Sequence, residues 1–138
     1  MKNLIKISML VFAFGLLSFS VKPMHKNQME KVLGTSPISW KSDAIDVGEI
    51  PQGTPKLIEY EFVNTGKTAV IISNVHGSCG CTATDYTKEA IAPGKKAFIK
   101  ATFNAANVGA FSKTVTVTTT AEETPKVLTF KGTVMAKS

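Results

Sequence analysis

Residues 57–64 read Leu57-Ile58-Glu59-Tyr60-Glu61-Phe62-Val63-Asn64. In an extended chain Ile58, Tyr60 and Phe62 fall on one side and Glu59 and Glu61 on the other, the period-two pattern of a half-buried strand. Asn64-Thr65-Gly66-Lys67 follows with turn chemistry, Gly66 being free to take a positive φ. The stretches around this one repeat the pattern: short apolar segments alternate with turn signals, and none holds a helical period over three turns. An all-β sandwich of about seven strands is predicted.

Upstream, Pro37 to Trp40 opens the sandwich and Ile45 to Ile50 continues it, bending at Asp46-Val47-Gly48-Glu49. Pro51 to Pro55 is a loop, because proline donates nothing to a ladder. Downstream, Ala69 to Val75 is rich in β-branched residues and reads as a central strand. Thr82 to Ala90 reads as polar and irregular, and Ile91-Ala92-Pro93-Gly94-Lys95 as a turn. Ala97 to Phe103 alternates again, with Ile99 and Phe103 inward. After a loop from Asn104 to Gly109, Val115 and Val117, then Leu128, Phe130 and Val134, mark two closing strands.

The chain begins with Lys2 and Lys6, an apolar run from Ile7 to Phe19, and the small residues Ser18 and Ser20. This is the pattern of a secretory signal peptide, since the run is shorter than the roughly 18–20 apolar residues that cross a bilayer. Cleavage after Ser20 is expected, with an uncleaved amino-terminal anchor as the alternative. Residues 21–36 form a flexible polar tether, or a short helical turn through Met24, Met29, Val32 and Leu33. Residues 37–138 form the β-domain. No cysteine follows the apolar run to carry a lipid, and no stable transmembrane span is expected after cleavage. The protein is therefore expected to be exported, to the periplasm or the extracellular space.

Removing 20 residues from 138 leaves 118, enough for one domain with a core of its own. Every basic residue is a lysine. The planar fork with which arginine grips phosphates and guanine is absent, so nucleic acid is not an expected partner. The modest surplus of lysine reads as a solvated face.

Both cysteines lie in Ser78-Cys79-Gly80-Cys81-Thr82. Export places them where disulfides persist. In a regular strand, residues two apart have α-carbons about 6.6 Å apart, at the upper end of the disulfide range, with parallel β-carbons. A bond needs a turn, which Gly80 can supply, and the small ring would be more easily reduced than an ordinary structural bridge. Three readings stand: a strained disulfide, two reduced thiols, or a thiolate pair holding a soft metal. His76 is the candidate third ligand, although strand parity sets it on the opposite face. With no second ligand pair for zinc, copper(I) is the metal that fits; no other cofactor is assigned.

Catalysis has little to draw on. No helix amino terminus is available to activate a thiolate, and the only nearby cations in sequence are His76 and Lys88. No serine sits in an elbow motif, His25 lies in the tether, and Glu122-Glu123 reads as solvated charge. Asp85 and Glu89 read as surface solubility. No catalytic residue is assigned. Trp40, Tyr60, Phe62, Phe103 and Phe130 occupy core positions, whereas Tyr86, in a polar loop, is the aromatic expected at an interaction surface.

The series Phe62-Val63-Asn64-Thr65-Gly66, Ile72-Ser73-Asn74-Val75, Ser78-Cys79-Gly80-Cys81-Thr82, Ile91-Ala92-Pro93-Gly94, Phe103, Gly109, Phe111, Lys113 to Val117 and Leu128 to Val134 resembles the exported bacterial domain-of-unknown-function 1573 family, from about Asp46 to Val134. The resemblance implies an immunoglobulin-like sandwich, similar to major sperm protein and hydin-type domains, from Bacteroidetes-like bacteria. It implies no activity. The expectation is a non-catalytic binding or structural module of the cell envelope, whose partner is an envelope protein or a glycan and whose recognition or locking end is Ser78, Cys79, Gly80, Cys81, Thr82 and Tyr86. A copper(I)-binding or thiol-redox protein is the alternative.

Overall fold

The strand predicted at residues 57–64 spans Lys56–Asn64 in the computed structural model, which describes residues 36–138. The signal peptide expected at residues 1–20 and residues 21–35 of the expected tether lie outside the described residues. The described residues form eight strands and no helix: β1 (Ile38–Trp40), β2 (Ala44–Pro51), β3 (Lys56–Asn64), β4 (Ile72–Gly77), β5 (Thr82–Tyr86), β6 (Lys96–Phe103), β7 (Gly109–Thr119) and β8 (Lys126–Met135). They build two four-stranded sheets, ordered β1-β3-β6-β5 and β2-β8-β7-β4. All pairings are antiparallel except β2 with β8, which is parallel.

Alternation decides what is buried. Ile58, Tyr60 and Phe62 on β3 meet Ala97, Ile99 and Ala101 on β6, and the opposite layer supplies Val115 and Val117 from β7 and Leu128, Phe130 and Val134 from β8. The outward face of the first sheet carries Glu59–Lys100 and Glu61–Lys96 across β3 and β6. Exposed pairs of this kind contribute little stability. Trp40 stacks on Phe62 with ring centroids 4.8 Å apart but stays half-buried.

Four details differ from the sequence reading. The β-branched run Ala69 to Val75 is not a central strand: only its second half enters β4, and β4 is the edge of its sheet. The apolar residues of that run are spent locally, Val70 bridging to Ile91 and Ile72 turning inward. The irregular stretch after the cysteines begins with β5, recruited by pairing Thr82 with Phe103 through Tyr86 with Ile99. The turn glycine Gly66 does not use a positive φ. A β-carbon there would lie 2.8 Å from Pro37 Cβ, so close approach explains this glycine. Finally Ser36, at the end of the presumed tether, is tied to the domain. Its hydroxyl accepts from the Ile38 N–H and is hydrogen-bonded to the Glu122 carboxylate, which is thus not simply solvated.

The bend expected at Asp46–Glu49 is a bulge in β2. Pairing jumps from Asp46↔Lys131 to Glu49↔Thr133, Gly48 takes φ +68°, and the Asp46 carboxylate accepts from the Gly48 N–H at 2.9 Å. The Pro93-Gly94 turn forms as expected, Gly94 having φ +79° and Lys95 N–H donating to Ala92 at 3.0 Å.

Candidate functional site

At the end of β4 the chain leaves one sheet for the other, and it does so through the cysteine stretch. Beyond Gly77 it stays clamped to β7: Ser78 N–H donates to the Thr114 carbonyl at 2.9 Å, and the Ser78 hydroxyl accepts from Thr114 N–H at 3.1 Å. Cys79 to Thr82 then form a turn, with Thr82 N–H donating to the Cys79 carbonyl at 3.3 Å. Asn104 N–H caps the Cys81 carbonyl at 3.1 Å as β5 begins. The turn brings the two α-carbons to 5.2 Å, inside the disulfide range, and Cys79 and Cys81 are joined.

The turn does not use the glycine as expected. Gly80 is not in the left-handed region, and a β-carbon on it would meet nothing within 4 Å. The glycine that geometry requires is Gly77, where a β-carbon would lie 3.0 Å from Thr82 Cβ. Gly77 lets β4 and β5 approach at the corner and brings Thr82, which is buried, under the bridge. Its hydroxyl lies 3.6 Å from Cys79 Sγ and 4.0 Å from Cys81 Sγ. The sulfurs are not equivalent: Cys81 packs against the core, and Cys79 is not among the side chains that do.

Cys81 borders a depression of about 160 Å³ whose wall also includes Phe103, Asn104, Val108, Phe111 and Lys113. Phe103, Phe111 and Phe130 form an aromatic floor, with Phe103 and Phe111 centroids 4.4 Å apart. Val108 is 54% exposed. Lys113 pairs with Phe130 across β7 and β8 and shares the inward parity of Phe111, Val115 and Val117. A lysine on the core-facing side of a strand belongs at the mouth of the sandwich, where its ammonium reaches water. The sequence reading missed Lys113 and Val108. The signal for Lys113 was present, a charge on the apolar parity of Phe111-Ser112-Lys113-Thr114-Val115, but its nearness to Cys81 depends on the β4–β7 pairing. A wider depression of about 460 Å³ lies around the β2 bulge, lined in part by Asp46, Gly48, Lys131 and Gly132. It offers mainly backbone and an Asp46–Lys131 pair that is already matched.

Of the residues expected at the site, Ser78, Cys79, Gly80, Cys81 and Thr82 are together. Tyr86 is not with them. It ends β5 about 13 Å along the strand, is half-buried against the core, and is covered by the Lys88 ammonium 3.3 Å from its ring centroid, so it is not a free aromatic in a loop. His76 stays on the outward face of β4 opposite Thr116, and among the described residues no three His, Cys, Asp or Glu side chains gather in a metal-holding group.

A family model described as "Protein of unknown function (DUF1573)" matches residues 38–134, from β1 to β8. The chain belongs to this family. The match reaches further towards the amino terminus than the motif series and takes in β1. The DUF1573 domain is similar in fold to the ASH/PapD-like domain 7 of human CEP192, with a TM-score of 0.62 at 10% identity over 75% of this chain and 88% of that one. It is also similar to a protein of unknown function from Porphyromonas gingivalis W83, with a TM-score of 0.62 at 13% identity over 70% of this chain and 46% of that one. The third likeness is to the Vibrio cholerae VesB protease, with a TM-score of 0.58 at 14% identity over 72% of this chain but 32% of the other. At these identities the likeness is one of fold. No curated protein sequence matches this chain significantly.

Proposed function

We propose that this protein is an exported, non-catalytic binding module of the bacterial cell envelope, and that it recognises an envelope protein or glycan through the corner that holds the Cys79–Cys81 bridge. The observation that carries this reading is the depression beside the bridge. A covalently closed turn, an exposed Val108, a Lys113 with no carboxylate partner among the described residues and the Phe103–Phe111 floor converge there on a framework of backbone hydrogen bonds. Rigid walls with one cation and apolar surface suit recognition, because little ordering remains to be done on binding. Export is supported by the apolar run from Ile7 to Phe19 and by a disulfide, which persists in oxidising compartments.

The test is affinity capture from envelope extract of the source bacterium with three baits: the parent, Val108→Glu at the corner, and Leu57→Glu on the outward face of β3. A partner retained by the parent and Leu57→Glu and lost with Val108→Glu is expected. Identical captures by all three would remove the corner from consideration.

A further inference from the structure

We propose that the Cys79–Cys81 bridge is an exchange site for a protein thiol, so that a partner presenting a reactive cysteine is captured at Cys79 as a mixed disulfide. The inference rests on the reading of this corner as the recognition end and names the chemistry of the partner.

The bridge closes a ring across one intervening residue and ties together no distant parts of the chain. The corner is held without it, by the backbone bonds from Ser78 to Thr114, from Thr82 to Cys79 and from Asn104 to Cys81. Opening the bridge therefore leaves the fold in place, whereas a bridge between remote elements would release them. Such a bridge does something other than hold the domain together.

The surroundings suit a departing thiolate. Thr82 Oγ1 is buried beneath both sulfurs and makes no other side-chain hydrogen bond among the described residues, so its proton is free for sulfur. Lys113 borders the same depression as Cys81 and has no carboxylate partner among the described residues. A hydroxyl donor and a cation are the neighbours that lower a thiol's pKa, and a thiol of lower pKa leaves faster. Cys81 packs against the core, which shields its sulfur from an incoming thiolate and leaves it as the sulfur that departs. Cys79 lies outside the core contacts and is the sulfur that an incoming thiolate attacks.

In the step, the lone pair of the partner thiolate attacks Cys79 Sγ. The Cys79–Cys81 bond breaks, and its electron pair goes to Cys81 Sγ, which becomes a thiolate with the Thr82 hydroxyl 4.0 Å away and Lys113 on the wall of the same depression. One disulfide is lost and one is formed, with no net oxidation. A second thiolate attacking the partner's sulfur would release Cys79, leaving the Cys79/Cys81 dithiol and a disulfide between the two incoming thiols.

The test incubates the purified full-length protein with excess reduced glutathione at neutral pH, quenches with iodoacetamide and maps both cysteines by peptide mass. Glutathione on Cys79 with alkylated Cys81, under an unchanged β-type circular dichroism spectrum, is the expected result. Lys113→Ala should slow the reaction, and Lys113→Arg should restore it. A bridge that resists glutathione until the protein is denatured, or glutathione found chiefly on Cys81, overturns the proposal. Capture of the partner by Cys79→Ser/Cys81→Ser at parental yield would also sink exchange while leaving recognition intact. Loss of capture in Val108→Glu with normal glutathione chemistry is expected if both readings hold.

Discussion

The phenol of Tyr60, in the middle of β3, donates to the carbonyl of Thr129 on β8 at 2.7 Å, so that one hydrogen bond joins the two sheets through the core. Burial, and secondarily the negative charge of Asp43, push the Tyr60 pKa up from 10.0 to about 12. An unfolded chain would lose this proton near pH 10 while the folded one keeps it, so the contribution is complete below pH 10 and is lost as pH rises towards about 12. Urea unfolding between pH 9 and 12 should show this decline, and Tyr60→Phe should flatten it while costing about 1 kcal/mol at neutral pH. Parent and variant declining in parallel would show that Tyr60 is not the group responsible.

Asn64 ties two turns together from inside. Its amide nitrogen donates to the carbonyls of Thr68 and Ile91, each at 2.8 Å, its amide oxygen accepts from Gly66 N–H at 2.9 Å, and the residue is fully buried. Asn64→Ala leaves the Thr68 carbonyl without its partner and removes one of two bonds at the Ile91 carbonyl and at the Gly66 N–H, which keep Val70 N–H and the Pro37 carbonyl, and should lower stability by about 2 kcal/mol. Asn64→Asp, matched in shape but unable to donate twice, should be no better. Denaturation midpoints of the three proteins decide the matter, and a tolerated aspartate would contradict the assigned amide orientation.

The contrast between Tyr60 and Asn64 shows what the sequence could reveal. Tyr60 was legible because period-two alternation needs only its neighbours, and the same holds for Val115, Leu128 and the turn at Pro93-Gly94. Asn64 reads locally as a turn residue, yet its partner Ile91 lies 27 positions away. The edge position of β4, the existence of β5, and Lys113 beside Cys81 share that obstacle, since each depends on which strands become neighbours. At the site, the closeness of the two cysteines was legible from their spacing. The work of the glycines was not: Gly80 needs no special conformation, and Gly77 is explained only by Thr82 lying against it.

Glycine replacements should therefore separate by contact. At Gly80, with an ordinary φ and open space, alanine should stabilise by about 0.4–1 kcal/mol by restricting the unfolded chain. At Gly132 a β-carbon would sit 2.5 Å from the Gly48 carbonyl oxygen, so alanine should destabilise and disturb the β2 bulge. Removing both sulfurs with Cys79→Ser/Cys81→Ser should cost less than about 2 kcal/mol, because so short a loop constrains the unfolded state little. Chemical denaturation of the three variants measures all of this, and a Gly80→Ala less stable than the parent would refute the conformation assigned to the turn.

Phe62 and Leu57 test the register of β3. Phe62 is fully buried and Leu57 is 55% exposed. Truncating Phe62 to alanine should cost about 3–5 kcal/mol, while Leu57→Ala should stay within about 0.5 kcal/mol. Comparable losses at both positions would mean that the strand is turned over.

The parallel pairing of β2 with β8 gives the domain a mechanical direction. A pull applied between the amino-terminal side of β2 and the carboxyl end of β8 acts on two strands that run the same way, from Ala44↔Thr129 to Pro51↔Met135. Drawn in opposite directions, they slide along each other, and their rungs bear the load together instead of parting one at a time. Ahead of them the three pairs of β1 with β3, the bonds to the Pro37 carbonyl and the Ser36–Glu122 contact stand to be peeled away. A load between those two points would therefore be met as shear along the β2–β8 pairing, while the corner with Cys79 and Cys81, on the opposite edges of both sheets, lies off the line of force.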